Sequence, residues 1–225
     1  MPAPLDTTAG QAVYSPAVLA LYDAFVLGFS CSLVWRCPAR RMLAQYDRLV
    51  GRRHLDVGVG SGFYLDRCRF PSATPEITLL DLNPSSLDHA ARRIHRYAPR
   101  TIRHDVFEPL PLRERFDSIG ISFLLHCLPG TMAEKAEAIA RLAPAVDDAG
   151  VLFGSTILGR GGSHNALGRL LLRAYNRKGI FSNLEDTEEG VASALHASFA
   201  NVQTERVGTV VLFEARVPRS AGEAR

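Results

Sequence analysis

The run His54-Leu-Asp-Val-Gly-Val-Gly-Ser-Gly62 sets glycines at 58, 60 and 62 directly after a short apolar stretch. Glycine tolerates positive φ and lets the backbone approach a ligand closely. In open α/β sheets such a turn, at the carboxyl end of a strand, is where ligands bind. The spacing is GxGxG, not the GxGxxG of dinucleotide sites. Asp56 also stands two residues ahead of the first glycine. A carboxylate there opposes a pyrophosphate and suits a ligand that carries an ammonium and a sulfonium. Asp81 closes the next apolar run, where a carboxylate accepts hydrogen bonds from ribose hydroxyls. Asp105 closes a third, placed to accept from an exocyclic amine. Each acid has a plain alternative: Asp56 as a cap of the loop backbone, Asp81 as a turn acid before Asn83-Pro84, Asp105 as a helix N-cap. Together, at three consecutive strand ends, they favour a cleft for an adenosyl amino acid. His126, in LLHCLPG, is the candidate general base, because an unperturbed imidazole titrates near neutrality. Its alternatives are a loop pin and a neutral core side chain. His104 reads as facing a helix from inside a strand, and Cys127 as packing.

The elements that position these residues follow from periodicity. HLDV (54–57), ITLLD (77–81), TIRHD (101–105), FDSIGISF (116–123) and VLFGSTIL (151–158) read as strands. Between them lie helical patterns: FYLDRCRF, then NPSSLDHAARRIHRY, with Asn83 suited to the N-cap and Pro84 to the first turn, then MAEKAEAIARLA. Thr131 and Glu134 have capping-box spacing, as do Asp186 and Glu189 before TEEGVASALHASF. NVQTERV and TVVLFEARV, separated by Gly208, require an antiparallel hairpin. Alternating strands and helices predict a parallel sheet covered on both faces, with that hairpin added at the carboxyl end. The segment 159–178 is a long basic connection, in which Leu167, Leu170, Leu171 and Tyr175 share a helical face.

The chain has 225 residues, 47% of them hydrophobic, enough for one α/β domain with a full core. Its net charge of +3 gives no nucleic-acid footprint. The apolar stretch 17–35 is interrupted by Asp23, Gly28, Ser30 and Ser32, and reads as short helices packed on the domain, not a membrane span. Four scattered cysteines, with no CxxC, read as reduced thiols of a cytoplasmic protein without a metal site.

LDVGVGSG, LLDLNPSSL, HDVFEPLP and FDSIGISFLLHCLPG, in that order and spacing, resemble the class I S-adenosylmethionine-dependent methyltransferases. AGVLFGSTILG and the last hairpin extend the resemblance over nearly the whole chain. YDAFVLGFSCSLVWRCP and YNRKGIFSN are similar to the small-molecule enzymes of microbial secondary metabolism. The resemblance implies a Rossmann-like seven-stranded sheet with one antiparallel strand and S-adenosyl-L-methionine as cofactor. It implies Asp56, Gly58, Gly60 and Gly62 around the methionine part, Asp81 on the ribose, Leu82 beside the adenine, Asp105 and Val106 holding it, and Ser122 and Phe123 along the sulfonium. Tyr14, Tyr22 and Trp35 are the aromatics that would close the pocket. The expected organisation is a single domain: a helical cap (1–50), a core (51–217) with a substrate-side segment (159–186), and a frayed tail (218–225).

Several acceptor signatures are missing. No Asn/Asp-Pro-Pro-aromatic tetrad, Pro-Cys nucleophile or acidic metal cluster follows the fourth strand. A small-molecule acceptor is therefore expected, with no nucleic-acid or membrane partner, for a monomer or homodimer. The competing expectation is a cofactor-binding protein of the same fold with a non-methylating or regulatory role. A nicotinamide enzyme is disfavoured by Asp56 and the glycine spacing.

Overall fold

The computed structural model describes residues 31–218; Tyr14 and Tyr22, and most of the apolar stretch 17–35, lie outside them. One seven-stranded sheet runs through the molecule: β1 (Arg53–Val57), β2 (Glu76–Asp81), β3 (Arg100–Arg103), β4 (Phe116–Ser122), β5 (Val146–Ile157), β6 (Phe199–Val207) and β7 (Val210–Pro218). The order is β3-β2-β1-β4-β5-β7-β6. The first five strands are parallel, and β7 is antiparallel to both β5 and β6. Strand order reverses between β1 and β4, so the crevice that receives ligands opens at their carboxyl ends.

Among the described residues six α-helices flank the sheet: α1 (Ala39–Leu49), α2 (Phe63–Arg67), α3 (Pro84–Arg93), α4 (Met132–Leu142), α5 (Ala166–Arg177) and α6 (Glu188–His196). The period-2 alternation of the strands divides the core. Leu55, Leu80, Ile119, Ile121 and Leu152 pack with Ile139 and Leu142 of α4 and Val191 and Leu195 of α6. Ile77, Leu79, Val151 and Phe153 face the other way, onto Tyr46 and Leu49 of α1, Leu65 of α2 and Leu87 and Ala90 of α3. A third cluster joins Cys31, Trp35 and Met42 to Ile157, Val210 and Leu172 of α5.

The caps are those the sequence predicts, with one exception. Asn83 accepts from Ser85 N–H and Pro84 opens α3; Thr131 and Glu134 form the reciprocal box on α4. At α6 the cap is Thr187, whose hydroxyl oxygen accepts from Gly190 N–H at 3.0 Å, not Asp186 with Glu189. Asp186 is instead buried against Lys135 Nζ of α4 at 2.7 Å. The third strand ends at Arg103, so His104 and Asp105 stand in the loop beyond it, not inside it. The segment 159–178 holds a helix only from Ala166, capped by Asn165. Among the described residues no helix is long and apolar enough to cross a membrane.

Candidate active site

β1 delivers its chain into the glycine loop, and each glycine there has its own steric surroundings. All three have positive φ: 72° at Gly58, 52° at Gly60 and 70° at Gly62. A Cβ on Gly58 would meet Leu124 Cδ1 at 2.8 Å, and one on Gly62 would meet Ala90 Cβ of α3 at 3.0 Å. A Cβ on Gly60 would meet nothing within 4 Å. The loop therefore packs on protein at its two ends and leaves open space at its middle.

That space is a cavity lined by Asp56, the three glycines, Asp81, Leu82, Asp105, Val106, Ser122 and Phe123. Ten of the predicted cofactor residues thus share one lining with Tyr46, Phe63, Tyr64, Asn83, His104 and Cys127, none of which the sequence reading assigned to the site. The strand-end pattern points at acids and glycines; Tyr46, on a helix ten residues ahead of Asp56, carries no local signal. His104 was read as an inward strand residue because the third strand was placed two residues too long.

The acids are arranged for acceptance. Asp81 Oδ1 takes Asn83 N–H at 2.8 Å. Burial pushes the Asp81 carboxyl up to about 6, against the lowering pull of the Asn83, Val59 and Gly60 amides. Asp105 Oδ1 takes Phe107 N–H at 3.0 Å, which fixes its carboxylate in a tight turn. Asp56 is 5% exposed and accepts the Tyr46 hydroxyl at 2.8 Å. Phe123, the residue after β4, has φ 57° without being glycine, while its N–H donates to Ser155 O at 2.7 Å. Backbone held in this sparsely populated region is commonly found where a site over-determines it.

His126 and Trp35 are elsewhere. His126 is 3% exposed and is not among the cavity-lining residues. Its Nδ1 accepts Ile157 N–H at 3.4 Å and lies 3.3 Å from the Thr156 hydroxyl. Its ring packs edge-on against Phe181, 4.5 Å between centroids, and Phe123, 5.7 Å. Burial, with Lys135 nearby, lowers its pKa to about 3. Trp35 is buried against His164 and Phe181, away from the cavity lining. Tyr22 lies outside the described residues. Among the described residues no group of three or more His, Cys, Asp or Glu side chains is placed to hold a metal ion.

A Rossmann-like sheet with carboxylates at three successive strand ends, around a glycine turn whose middle is open, defines a nucleoside-binding α/β enzyme. Residues 55–152 match the model of a methyltransferase domain. The chain is 42% identical over 207 residues to demethylluteothin O-methyltransferase of Streptomyces thioluteus, covering 92% of this chain and 90% of that protein. It is 38% identical over 222 residues to the physcion biosynthesis cluster O-methyltransferase of Aspergillus chevalieri, covering 97% and 100%. Its fold is that of the N-methyltransferase NodS from Bradyrhizobium japonicum WM9, solved with S-adenosyl-L-homocysteine: TM-score 0.61, 15% identity, covering 90% of this chain and 98% of that one. The chain belongs to the class I S-adenosylmethionine-dependent methyltransferases, and it transfers a methyl group to a small-molecule acceptor. A non-methylating role for the same fold is not favoured.

The residues present fit the cofactor. Open space at Gly60 leaves room for a ligand against backbone, and the charged lining offers carboxylate acceptors, as an ammonium and ribose hydroxyls require. When bound, S-adenosylmethionine supplies a methyl carbon on a sulfonium, already activated for transfer. What the protein adds is alignment and exclusion of water.

Proposed function

We propose that this methyltransferase acts on oxygen, and on an acidic hydroxyl: a phenol or an enol of a small apolar molecule. Two relatives at 38–42% identity are named O-methyltransferases, which supports oxygen as the nucleophile. The observation that carries the acceptor class is the placement of His126, buried off the cavity lining with Nδ1 accepting Ile157 N–H. An imidazole held in that way, with its pKa lowered by burial, is a poor acceptor for the proton of an aliphatic alcohol. A phenol, which ionises near pH 10 in water, as tyrosine does, or a more acidic enol, makes far smaller demands on it.

In this reading the cofactor residues keep their expected tasks: Asp56 and the glycines at the methionine part, Asp81 at the ribose, Leu82, Asp105 and Val106 at the adenine, Ser122 and Phe123 by the sulfonium. The acceptor lies on the far side of Phe123. There Trp35, Tyr175 and Phe181 form an aromatic wall with His126. His126 holds that wall to β5 through Ile157 N–H and to the Phe181 segment through its carbonyl, which accepts Ser182 N–H at 2.8 Å. Four free thiols support a cytoplasmic location, and the small net charge argues against a nucleic-acid partner.

The test is an acceptor panel of phenols, enolic pyrones, aliphatic alcohols and amines, incubated with S-adenosylmethionine and read by mass spectrometry. Methylation of phenols or enols, with stoichiometric S-adenosylhomocysteine, is expected. Methylation confined to aliphatic alcohols or amines overturns the proposal.

A further inference from the structure

Beneath the glycine loop runs a chain of buried polar side chains that methyl transfer, as described so far, does not use. Ser118 Oγ on β4 accepts Gly51 N–H at 2.7 Å and lies 2.8 Å from His54 Nδ1. His54, wholly buried on β1, brings Nε2 to 3.5 Å from Asp56 Oδ1. Tyr46 of α1 donates its hydroxyl to the same oxygen at 2.8 Å. The parallel register sets His54 beside Ser118 and Asp56 beside Gly120. Gly120 is what lets the groups converge: a Cβ there would lie 2.8 Å from Asp56 Oδ1, 3.2 Å from Tyr46 Oη and 3.3 Å from His54 Cε1.

The hydrogens have a consistent direction. Ser118 Oγ already accepts from Gly51, so its own hydrogen is free to go to His54 Nδ1. The ring hydrogen then sits on Nε2 and faces Asp56. The opposite tautomer would turn a ring lone pair onto a carboxylate oxygen. Tyr46 is 2% exposed, stacked 5.2 Å from Tyr64 and edge-on 4.9 Å from Phe153. Burial and the Asp56 charge hold its phenol well above the ordinary value, so it stays a donor.

We propose that Tyr46, His54 and Ser118 are positioning residues that fix the Asp56 carboxylate toward the ammonium of the cofactor's amino-acid end. The proposal rests on the assignment of Asp56 to that end. Hydrogen bonds to a charged group contribute more than neutral ones, and a carboxylate with both donors in place does not reorient on binding.

The test compares two ligands by calorimetry: S-adenosylhomocysteine, and 5′-methylthioadenosine, which lacks the amino-acid end. Tyr46→Phe keeps the ring and its packing and removes the donor. It is expected to weaken S-adenosylhomocysteine roughly tenfold, as loss of a hydrogen bond to a charged group does, and to leave methylthioadenosine unchanged. His54→Leu should do the same, and His54→Gln, which restores a side-chain N–H, should recover most of the affinity. Equal weakening of both ligands, or no weakening of either, in Tyr46→Phe overturns the proposal. Asp56→Asn separates it from the assignment beneath it. If Asp56→Asn selectively weakens S-adenosylhomocysteine while Tyr46→Phe does not, only the positioning role fails. If Asp56→Asn shows no selectivity, the assignment of Asp56 has failed as well.

Discussion

A methyl group on Gly62 would press on Ala90 Cβ at 3.0 Å, whereas one on Gly60 would enter open space, although both residues have positive φ. The two positions therefore resist substitution for different reasons. Gly62→Ala is expected to cost about 1–3 kcal/mol of stability, from backbone strain plus the clash with α3, read as a lower urea midpoint. Gly60→Val carries the backbone strain of a β-branched residue at positive φ without a clash, and is expected to fold and to bind no S-adenosylhomocysteine; normal binding would remove the loop from the site. Asp81 adds a pH dependence. Its folded value, about 6, lies above the ordinary 3.8. The stability it contributes is therefore complete below about 4 and is lost as pH rises through 6. Under the proposed ribose assignment ligand binding runs the opposite way, because ribose hydroxyls would donate to the ionised form. Affinity for S-adenosylhomocysteine should be level above pH 7 and decline below 6, and Asp81→Asn should flatten that decline while weakening binding throughout. A wild-type affinity unchanged between pH 5 and 7 would contradict the ribose assignment. These residues were legible in sequence because glycine spacing and strand-end acids are local signals. For His126 the sequence leaves a general base, a loop pin and a neutral core side chain open, because its lowered pKa comes from burial among Phe181, Phe123 and β5, and from Lys135, on separate elements of the chain.

Lys135, in the helix MAEKAEAIARLA, is a charged side chain that is wholly buried. Its Nζ donates to Asp186 Oδ2 and to Ser182 O, tying α4 to the segment that carries Phe181. Asp186 carries the same segment to the end of β5, since its carbonyl accepts from Gly159 and Arg160 N–H. Burial pushes the lysine down and the aspartate up, each opposed by the attraction of the other. Lys135→Met strands a buried carboxylate and is expected to cost about 3–5 kcal/mol. Lys135→Met with Asp186→Leu should recover much of that in a chemical melt, because no unpaired charge remains. If the single and double variants are equally destabilised, the pair is not what fastens the segment. The same pairing explains why the sequence misplaced the α6 cap. Asp186 and Glu189 have the right spacing, but Asp186 is held by α4, and the adjacent Thr187 takes the capping role. The strands themselves were readable, since their apolar runs are short and punctuated; their ends were not, and the two residues at 104–105 moved from strand to cavity wall.

The order β3-β2-β1-β4-β5-β7-β6 turns local signals into one site, because the reversal between β1 and β4 brings the ends of β1, β2, β3 and β4 to a common crevice. Periodicity shows that strands and helices alternate and that the last two strands pair; it does not contain the order. A ligand that spans this crevice touches the loops of four strands and so couples to the unfolding of the entire sheet rather than to one foldon. Binding to the native state alone stabilises by RT ln(1 + [L]/Kd), about 2.7 kcal/mol at one hundred times Kd. For a chain of this length a kilocalorie moves the melting temperature by roughly 2–4 °C, so saturating S-adenosylhomocysteine should raise Tm by roughly 5–10 °C. The rise should be a displacement of a single transition, and NADH at the same concentration should give none, since Asp56 and the acidic cavity wall oppose a pyrophosphate. A split transition, in which only part of the molecule responds, would mean that the crevice is not mechanically continuous with the sheet. A rise with NADH and none with S-adenosylhomocysteine would reverse the charge argument on which the cofactor assignment stands.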